Sequence, residues 1–527
     1  MKSKKTVRKA LWMSVLSIAL CLTMLVGTTF AWFTDTASTA VNKIVSGKLD
    51  VALEMEENGK WVTAEGKTLD FVKAANAPAG EKILWEPGCT YELPKLRIIN
   101  NGNLALKYKV QITGIKGDAM LNNAIEWTIG DVALGEEQHL LAGASSTFTI
   151  KGHMKEEVGN EYQDKSIDGI SIVVLATQDT VEYDSSNNTY DEKAEYPDAP
   201  VIVSRDTLNS EMKLSDLPVD EKTGKAAPVE VTLGNTTAGD IAYSEHSTGC
   251  TGKGVMLGST NLNKYGVTPA GVGEYSFTFK NGTINSAATG YASIDNFKDT
   301  SVYMLVPGNS DVVFENMTFN GVVSFDIQKY TSPWSNLNSI TFKNCTFNGI
   351  IIGTCPASNV TFDGCTFNQY ENTASANNSN PIWWREDTEG SGDNANPIKT
   401  FTFVNNTVVG TRPVKIERIG KTVSPVFTIK NNKFDIRKQT GDTVIKNMAI
   451  NIGMGENPNL PFTLIDEGNT ISSNTAALYT ASLTGGSNWY KEVSGMKVLD
   501  GNGNAKTITA MVWKTTTGET FELKSVD

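Results

Sequence analysis

The residues best suited to binding chemistry are two adjacent tryptophans, Trp383 and Trp384, followed by Arg385. Flat indole rings beside a bidentate cation favour sugar rings or protein partners. They stand in a long polar segment, "QYENTASANNSNPIWWREDTEGSGDNANP", which we interpret as an inserted loop. A second variable segment, "KYTSPWSN", adds Tyr330 and Trp334. These five residues are candidate ligand-binding residues; the alternative is that the aromatic rings fold back over the flank of the protein.

Histidine-based metal chemistry has little support in the sequence. The chain has three histidines, His139, His153 and His246. A zinc peptidase of the common kind needs the motif HExxH, in which two imidazoles one helical turn apart bind the metal. The sequence contains no HExxH, so we predict no metal site and no cofactor. Ca²⁺ would suit an acidic protein, but no motif indicates it.

A nine-residue repeat is the clearest structural feature. Six segments align without gaps: "FTFKNGTIN" from Phe277, "VVFENMTFN" from Val312, "ITFKNCTFN" from Ile340, "VTFDGCTFN" from Val360, "FTFVNNTVV" from Phe401 and "FTIKNNKFD" from Phe427. The first, third and eighth positions are always apolar, and the fifth is Asn in five copies and Gly364 in the other. Because Asn and Gly tolerate left-handed backbone angles, the pattern predicts a strand, a tight bend and a second strand.

The spacing of the repeats indicates how they stack. Equivalent positions are 35, 28, 20, 41 and 26 residues apart, so the unit is constant and the connection is not. A right-handed parallel β-helix has this property, because each coil packs on its neighbours while loops of any length leave its corners. A leucine-rich repeat would need a leucine scaffold that this sequence lacks. We therefore predict a β-helix.

Stacking predicts a role for each repeated position. The third position would form a column of buried phenylalanines. The fifth would form a structural ladder of asparagines: Asn281, Asn316, Asn344, Asn405 and Asn431. Cys345 and Cys365 align in successive copies and would face inward beside Met317, more as small apolar side chains than as a bridge or a reactive site.

The repeat gives no sign of catalysis. Polysaccharide lyases and hydrolases that use a β-helix need clustered carboxylates with a basic residue, or paired carboxylates. The outward position after the third-position residue holds Lys280, Glu315, Lys343, Asp363, Val404 and Lys430, which is no carboxylate column. The repeat therefore does not indicate an enzyme; the alternative is that catalytic acids lie in the long loops.

The N-terminus has the features of an export signal. Five basic residues lie within the first ten, and an apolar run from Leu11 to Val26 follows. This run is shorter than a membrane-spanning helix requires, and "TFA" at 29–31 is a small-x-small cleavage pattern. We predict a signal peptide over 1–31, cleaved by signal peptidase between Ala31 and Trp32, with no stable membrane span afterwards. The alternative is an uncleaved anchor with the remaining chain outside the cell.

Charge and cysteine content fit an exported protein that is not a disulfide scaffold. Removing the signal leaves 41 basic against 58 acidic residues, a net charge of −17. Such a surface argues against nucleic acid as a partner. Five cysteines remain, an odd number scattered over a long chain. Stability must therefore come mainly from packing.

The first part of the mature chain alternates between apolar and polar residues. The runs are "KLDVALEM", "LRIINNG", "LKYKVQITGI", "IEWTIGD", "STFTIKGHM" and "ISIVVLATQD", separated by Gly, Asn and Asp clusters. Period-two patterning between turn signals predicts half-buried antiparallel strands. We therefore predict a β-sandwich of the jelly-roll type.

This region resembles the TasA/camelysin family of secreted proteins over roughly residues 1–185. The resemblance rests on "TFAWFTDTASTAVNKIVSGKLDVALE", "LRIINNGNLALKYKVQITGI", "LLAGASSTFTIKGHM" and "ISIVVLATQD". In the first segment the family positions are Phe33, Asp35, Asn42, Gly47, Leu49 and Asp50. It implies a jelly-roll subunit whose N-terminal strand, here Trp32 to Val45, completes the sheet of the next subunit in matrix fibres. The alternative is that this strand pairs within its own sandwich.

The expected organisation is all-β: a signal peptide (1–31), a β-sandwich (32–185), a polar linker (186–204) and a parallel β-helix (205–527), with a short capping helix around Leu208 and closing strands after Val498. We expect a secreted surface or biofilm-matrix protein, structural or adhesive, whose partners are its own copies or an extracellular glycan. The alternative is an extracellular carbohydrate-active enzyme with a catalytic β-helix.

Overall fold

A computed structural model of the chain describes most residues from Leu49 onward. The described residues are 49–65, 67, 69–73, 83–113, 115–130, 132–168, 170–179, 194–220, 224–237, 241–242, 253–258, 275–286, 302–307, 310–326, 337–354, 357–369, 380–385, 397–419, 423–437, 448–454, 462–475, 478–483, 497–505, 508–513 and 520–523. The predicted signal peptide, its cleavage site at Ala31 and Trp32, and the predicted donor strand Trp32 to Val45 lie outside these residues.

The N-terminal region is built from short antiparallel strands, as its alternating pattern predicts. Its strands are β1 (Val51–Glu57), β2 (Lys60–Thr63), β3 (Thr90–Glu92), β4 (Leu96–Asn100), β5 (Leu106–Thr113), β6 (Lys116–Gly117), β7 (Ile125–Ile129), β8 (Val132–Ala133), β9 (Gln138–Leu140), β10 (Ser145–Phe148), β11 (Ile150–Met154), β12 (Ile167–Asp168) and β13 (Ser171–Gln178). They pair in the orders β10-β4-β1-β2, β3-β11-β7-β8, β13-β5-β9 and β12-β6.

The first three of these sheets enclose a common apolar core. In β4 and β5, buried residues alternate with partly exposed ones, and Leu96, Ile98, Leu106 and Val110 face inward. Ile150 of β11 joins them from another sheet. The six quoted runs are all strands, whereas the helix α1 (Ala119–Ala124) and the 3-10 turn η1 (Asn160–Tyr162) have no counterpart in the prediction. Asp118 caps α1 by accepting hydrogen bonds from the backbone N–H groups of residues 120 and 121.

The C-terminal region is a long series of strands, all paired in parallel except β16 with β17 and β37 with β38. They are β14 (Val201–Ser204), β15 (Val229–Thr237), β16 (Ile241–Ala242), β17 (Lys253–Gly258), β18 (Ser276–Asn285), β19 (Val302–Leu305), β20 (Asp311–Glu315), β21 (Thr318–Asp326), β22 (Leu337–Lys343), β23 (Thr346–Thr354), β24 (Ala357–Asp363), β25 (Thr366–Asn368), β26 (Ile382–Arg385), β27 (Thr400–Val404), β28 (Thr407–Gly410), β29 (Val414–Ile419), β30 (Val426–Lys430), β31 (Lys433–Ile436), β32 (Ile450–Met454), β33 (Thr463–Glu467), β34 (Thr470–Ile471), β35 (Tyr479–Leu483), β36 (Lys497–Leu499), β37 (Ile508–Trp513) and β38 (Thr520–Leu523).

Strand pairing divides each coil into three faces. The first face is formed by β14, the start of β15 and of β18, β20, β22, β24, β27, β30, β33 and β36. The second contains the end of β15 and of β18, the starts of β21 and β23, then β25, β28, β31 and β34. The third contains the ends of β21 and β23, then β26, β29, β32, β35 and β37. This architecture confirms the predicted parallel β-helix.

The six repeats stack in the predicted register. Their third-position residues pair directly from Phe279 through Phe314, Phe342, Phe362 and Phe403 to Ile429. The ring centroids of successive phenylalanines are 5.3 Å apart for Phe314 and Phe342 and 4.8 Å apart for Phe342 and Phe362, with nearly parallel planes. Aromatic side chains therefore stack inside the coils from Phe279 to Phe362, and Phe403 meets Phe362 edge-on at 5.9 Å.

The bend between the first and second faces also follows the prediction. All five fifth-position asparagines have a positive φ, between 52° and 59°, and Gly364 has a φ of 66°. Within the coil that contains Asn316, the backbone N–H of this residue donates to the carbonyl of Lys343 in the next coil, at 3.0 Å. The left-handed turn thus keeps coil-to-coil hydrogen bonding through the corner.

The two ends of the β-helix differ slightly from the prediction. The first parallel strand, β14, lies within the segment that the sequence assigned to the linker. The predicted capping helix is present as α2 (Arg205–Ser210), with Ser204 as its N-cap, and is followed by η2 (Leu214–Asp216); Leu208 is fully buried. At the other end, β33 and β34 continue the first and second faces, β36 adds one more strand to the first face, and the antiparallel strand β38 closes the last sheet.

Candidate functional site

The candidate tryptophans lie on a strand, which corrects their assignment to an inserted loop. Trp383, Trp384 and Arg385 belong to β26, which pairs with β23 and β29 in the third face. The nine-residue repeat covers only the first two faces of each coil. The third face has no repeated residue that would reveal its strands in the sequence. Tyr330 and Trp334 lie outside the described residues.

Trp384 is a core residue, and the prediction that it binds ligand is wrong in this structure. Its side chain has no exposed surface and makes edge contacts with the rings of Phe342 and Phe362, at centroid distances of 6.3 and 5.7 Å. Gly353 lies directly opposite in the preceding coil, and a Cβ atom there would collide with the indole ring. A glycine in one coil therefore makes room for a tryptophan in the next.

Trp383 faces outward because neighbouring residues of a strand point to opposite sides. Its ring is partly exposed, and its Nε1–H donates to Glu417 Oε2 at 2.8 Å. Lys415 Nζ lies 5.0 Å from the ring centroid and also pairs with Glu417 at 3.0 Å. The Arg385 guanidinium carbon is 5.4 Å from the same ring, and Arg385 is 5% exposed.

Trp383 contacts apolar side chains in addition to the polar groups of Arg385, Lys415 and Glu417. Beneath Trp383, the buried side chains of Val322, Ile350 and Ile352 form a small apolar group on the outer side of the third face. The arrangement can hold an indole ring rigidly between cations and a carboxylate. Glu417 already pairs with Lys415 and accepts a hydrogen bond from Trp383. Ligand binding by Trp383 and Arg385 stays a prediction.

The fifth-position asparagines of the predicted ladder form the left-handed bends, and a chain of amide hydrogen bonds runs along the helix at another position of the repeat. Of the bend asparagines, Asn405 donates through Nδ2 to the Asp363 carboxylate of the preceding coil at 2.8 Å. The continuous amide chain instead joins Asn235, Asn285, Asn320, Asn348 and Asn368, with nitrogen–oxygen distances of 2.7, 2.8, 3.0 and 3.0 Å. Four of these asparagines hold the ninth position of the repeat, so the signal was present in the alignment.

A second column, at the sixth position, hydrogen-bonds the backbone from inside. Cys345 and Cys365 donate their S–H groups to the carbonyls of Phe314 and Phe342 in the preceding coil, both at 3.3 Å. In later coils amides take over this role: the Nδ2 groups of Asn406, Asn432 and Asn469 donate to carbonyls of their preceding coils at 3.0, 2.7 and 2.7 Å.

The two cysteines are structural, as predicted. Both are free and 1% exposed, and burial raises the pKa of the Cys365 thiol far above its ordinary value. A thiol in this state is a poor nucleophile, because only the thiolate reacts readily. Cys250 and Cys355 lie outside the described residues.

One buried carboxylate escaped the sequence analysis. Asp466 occupies the third position of its coil, opposite Ile429, where earlier coils have phenylalanine. It is 4% exposed and accepts hydrogen bonds from Tyr479 Oη at 2.6 Å and from Asn469 Nδ2 at 2.8 Å. Burial and the facing carboxylate raise the pKa of Tyr479 well above its ordinary value. Aligning Gly468 with the fifth-position asparagines would have identified this substitution.

The described histidines have local partners. His139 Nδ1 lies 2.7 Å from the buried carboxylate of Asp179, and His153 Nδ1 lies 2.9 Å from Thr90 Oγ1. Among the residues that the structure describes, no group of three or more His, Cys, Asp and Glu side chains is arranged to hold a metal ion. His246 lies outside them.

Comparison with known proteins identifies only the N-terminal segment. Residues 6–58 match the family model described as camelysin metallo-endopeptidase, which agrees with the TasA/camelysin resemblance of that segment. No curated protein and no solved structure matches the chain. Within the described residues, no helix has the length and apolar character needed to cross a membrane. The chain is therefore similar to the camelysin family at its start, and the match does not extend over the β-helix.

Proposed function

We propose that this chain is a secreted structural protein of a bacterial surface or biofilm matrix. The observation that carries the proposal is the family match over residues 6–58, because TasA/camelysin-like proteins are typically extracellular or surface-associated. In this proposal signal peptidase cleaves between Ala31 and Trp32. The freed segment up to Val45 then joins the sandwich of another copy as a donated strand, which satisfies the unpaired backbone groups of an exposed sheet edge.

The architecture of the β-helix supports a displayed scaffold. Ten strands in the first face give a length of about 43 Å at the usual spacing between strands. The repeated phenylalanine, asparagine and cysteine side chains contact neighbouring coils, so their chemistry is used in holding the rod together. Adhesion would depend on the outer surface, where Trp383 is one candidate contact for a glycan or a protein.

The proposal is tested by imaging the mature secreted protein by negative-stain electron microscopy, with N-terminal sequencing to locate the cleavage site. Two variants separate strand donation from other effects. Val41→Pro/Ile44→Pro removes backbone N–H groups needed for strand pairing, whereas Val41→Thr/Ile44→Thr changes the same side chains and keeps those groups.

We expect filaments from the unchanged chain and the threonine variant and only single particles from the proline variant. Absence of filaments from the unchanged chain over a wide concentration range, or filaments that persist in the proline variant, would overturn strand-mediated assembly. Release of new sugar ends from a glycan panel would instead support the carbohydrate-active alternative.

A further inference from the structure

The outer side of the second face presents a regular array of threonine and asparagine. In each coil two outward positions, the seventh and ninth of the repeat, stand on either side of a buried residue. Five successive coils contribute one pair each: Asn235 and Thr237, Thr283 and Asn285, Thr318 and Asn320, Thr346 and Asn348, and Thr366 and Asn368. We call these ten residues the Thr/Asn surface.

The asparagines of this surface are held in fixed orientations. In the hydrogen-bonded chain from Asn235 to Asn368, each amide after Asn235 donates to the oxygen of the previous one. An amide has two N–H donors and an oxygen with two lone pairs, so an amide within the chain keeps one donor and one acceptor site for another partner. The rungs repeat every ~4.8 Å along the axis, the spacing of neighbouring strands.

The threonines add hydroxyl groups at the same spacing. The side chains of Thr283, Thr318, Thr346 and Thr366 are partly exposed. β-Branched side chains have few rotamers, so their hydroxyl groups lose little freedom on binding. The surface is therefore a rigid grid of neutral donors and acceptors.

The absence of charge on this surface distinguishes it from the first face. In the first face, Lys280, Glu315 and Lys343 form an ion-paired row, with nitrogen–oxygen distances of 3.7 Å and 2.9 Å. The Thr/Asn surface has no ionisable residue among its ten positions, and charge returns to these columns only at Lys433 and Asp435. An acidic polymer would find no cation here, on a chain whose net charge is −12, or −17 without the predicted signal peptide.

We propose that the Thr/Asn surface binds an uncharged, extended polysaccharide whose chain lies parallel to the helix axis. Sugar hydroxyls donate and accept hydrogen bonds at intervals close to the rung spacing, so successive sugars meet equivalent Thr/Asn pairs. A second copy of this protein fits less well, because the surface offers only threonine methyl groups as apolar area and stable homodimer interfaces are more apolar. The proposal rests on the proposed extracellular location and does not require strand donation.

The test measures binding of the mature full-length chain to cellulose, chitin, β-1,3-glucan, mannan and polygalacturonate, and to oligomers of two to six sugars from the neutral polymer bound best. Thr346→Lys/Thr366→Lys places two cations on the Thr/Asn surface. Thr341→Lys/Thr361→Lys is the matched control, since it makes the same change in the same two coils on the first face.

We expect binding to a neutral polymer that persists at high salt and strengthens with oligomer length up to roughly five sugars, the number of rungs. Thr346→Lys/Thr366→Lys loses the hydrogen bonds of two rungs and should therefore bind at least about tenfold more weakly, whereas Thr341→Lys/Thr361→Lys should bind as the unchanged chain does. Thr346→Val/Thr366→Val, which keeps the shape and removes two hydroxyls, gives a second measurement if the lysine variant fails to fold.

Binding to none of the neutral polymers, preference for polygalacturonate, equal losses in both lysine variants, or unchanged binding in the valine variant would each overturn the proposal. Light scattering that shows a dimer broken by the Thr/Asn substitutions would do the same in favour of a second copy. Filament formation by these variants is measured in parallel, so failure of this inference is separable from failure of the assembly proposal.

Discussion

The sandwich and the β-helix are both made of strands, yet their side chains are chosen under different constraints. In the sandwich, a core residue is fitted to particular partners from distant parts of the chain; Phe71 packs against Trp85, Tyr91 and Trp127, each in a different geometry. In the β-helix, a residue is fitted to the same position one coil above and below. Equivalent positions of successive coils therefore favour the same residue type, and this preference produces the repeat in the sequence.

This difference also affects how stability is distributed. Coils of a β-helix contact mainly their neighbours, so their energetics approximate a sum of local units and interfaces. The sandwich strands share one core that is assembled from several sheets. Damage to one coil should spread to adjacent coils and stop there, whereas damage to the sandwich core should affect that region as a whole.

The largest expected effect comes from the phenylalanine column. Phe342 stacks between Phe314 and Phe362 and is fully buried, so Phe342→Ala should lower the free energy of unfolding by about 3–5 kcal/mol. Urea unfolding gives the cost, and hydrogen exchange should rise in the adjacent coils but not in β4 and β5. Phe342→Leu is the control and should cost much less. A cost below about 1 kcal/mol for the alanine variant would contradict the role of the column.

The sixth-position column gives a smaller, graded effect. Asn432 accepts from the backbone N–H of Asn406 at 2.9 Å and donates to the carbonyl of Phe403. Asn432→Ala leaves both groups buried without this partner and should cost about 1–3 kcal/mol in urea unfolding. Cys345→Ala should cost less than this, because a thiol is only a weak hydrogen-bond donor. If the two variants lost the same free energy of unfolding, hydrogen-bond strength would not distinguish the cysteines of this column from its asparagines.

The bend should respond to backbone geometry more than to side-chain identity. Asn316 has a φ of 54°, so Asn316→Ala should cost about 1–2 kcal/mol, whereas Asn316→Gly should be nearly neutral. The sequence already uses glycine for this purpose at Gly364. Thermal unfolding of both variants provides the measurement, and a tolerated alanine would contradict a strained left-handed corner.

The smallest effect concerns pH. Hydrogen bonds from Asn474 and Ser472, and the nearby Arg437, lower the pKa of Asp435 below its ordinary value. A carboxyl group with a lowered pKa in the folded state contributes stability above its unfolded pKa, near 3.9, and loses it as pH falls through the folded pKa. Asp435→Asn should therefore reduce stability slightly at neutral pH and flatten the acid limb of the stability curve. An unchanged acid limb would contradict this linkage.

The sequence was most informative where one column repeats over many coils. The phenylalanine column and the positive-φ asparagines follow from residues that recur at fixed positions of the nine-residue segment. The third face was missed because its outward residues, such as Ile352, Trp383 and Lys415, differ from coil to coil. Trp384 was misassigned for the same reason. Its inward orientation, opposite Gly353, follows from its place in strand β26, which the sequence did not predict. The sequence did not predict the amide chain, because the backbone requirement that identifies asparagine at the fifth position does not apply at the ninth.

In the proposed function, the N-terminal half of the chain assembles while the β-helix is a self-contained scaffold. Hydrogen exchange of the mature chain, measured before and after filament formation, tests both parts in one experiment. We predict new protection in residues 32–45 and in the sandwich strands β1 to β13, with unchanged exchange in coils β20 to β31. Protection that appears only in those coils, or no change in the sandwich on assembly, would contradict the account.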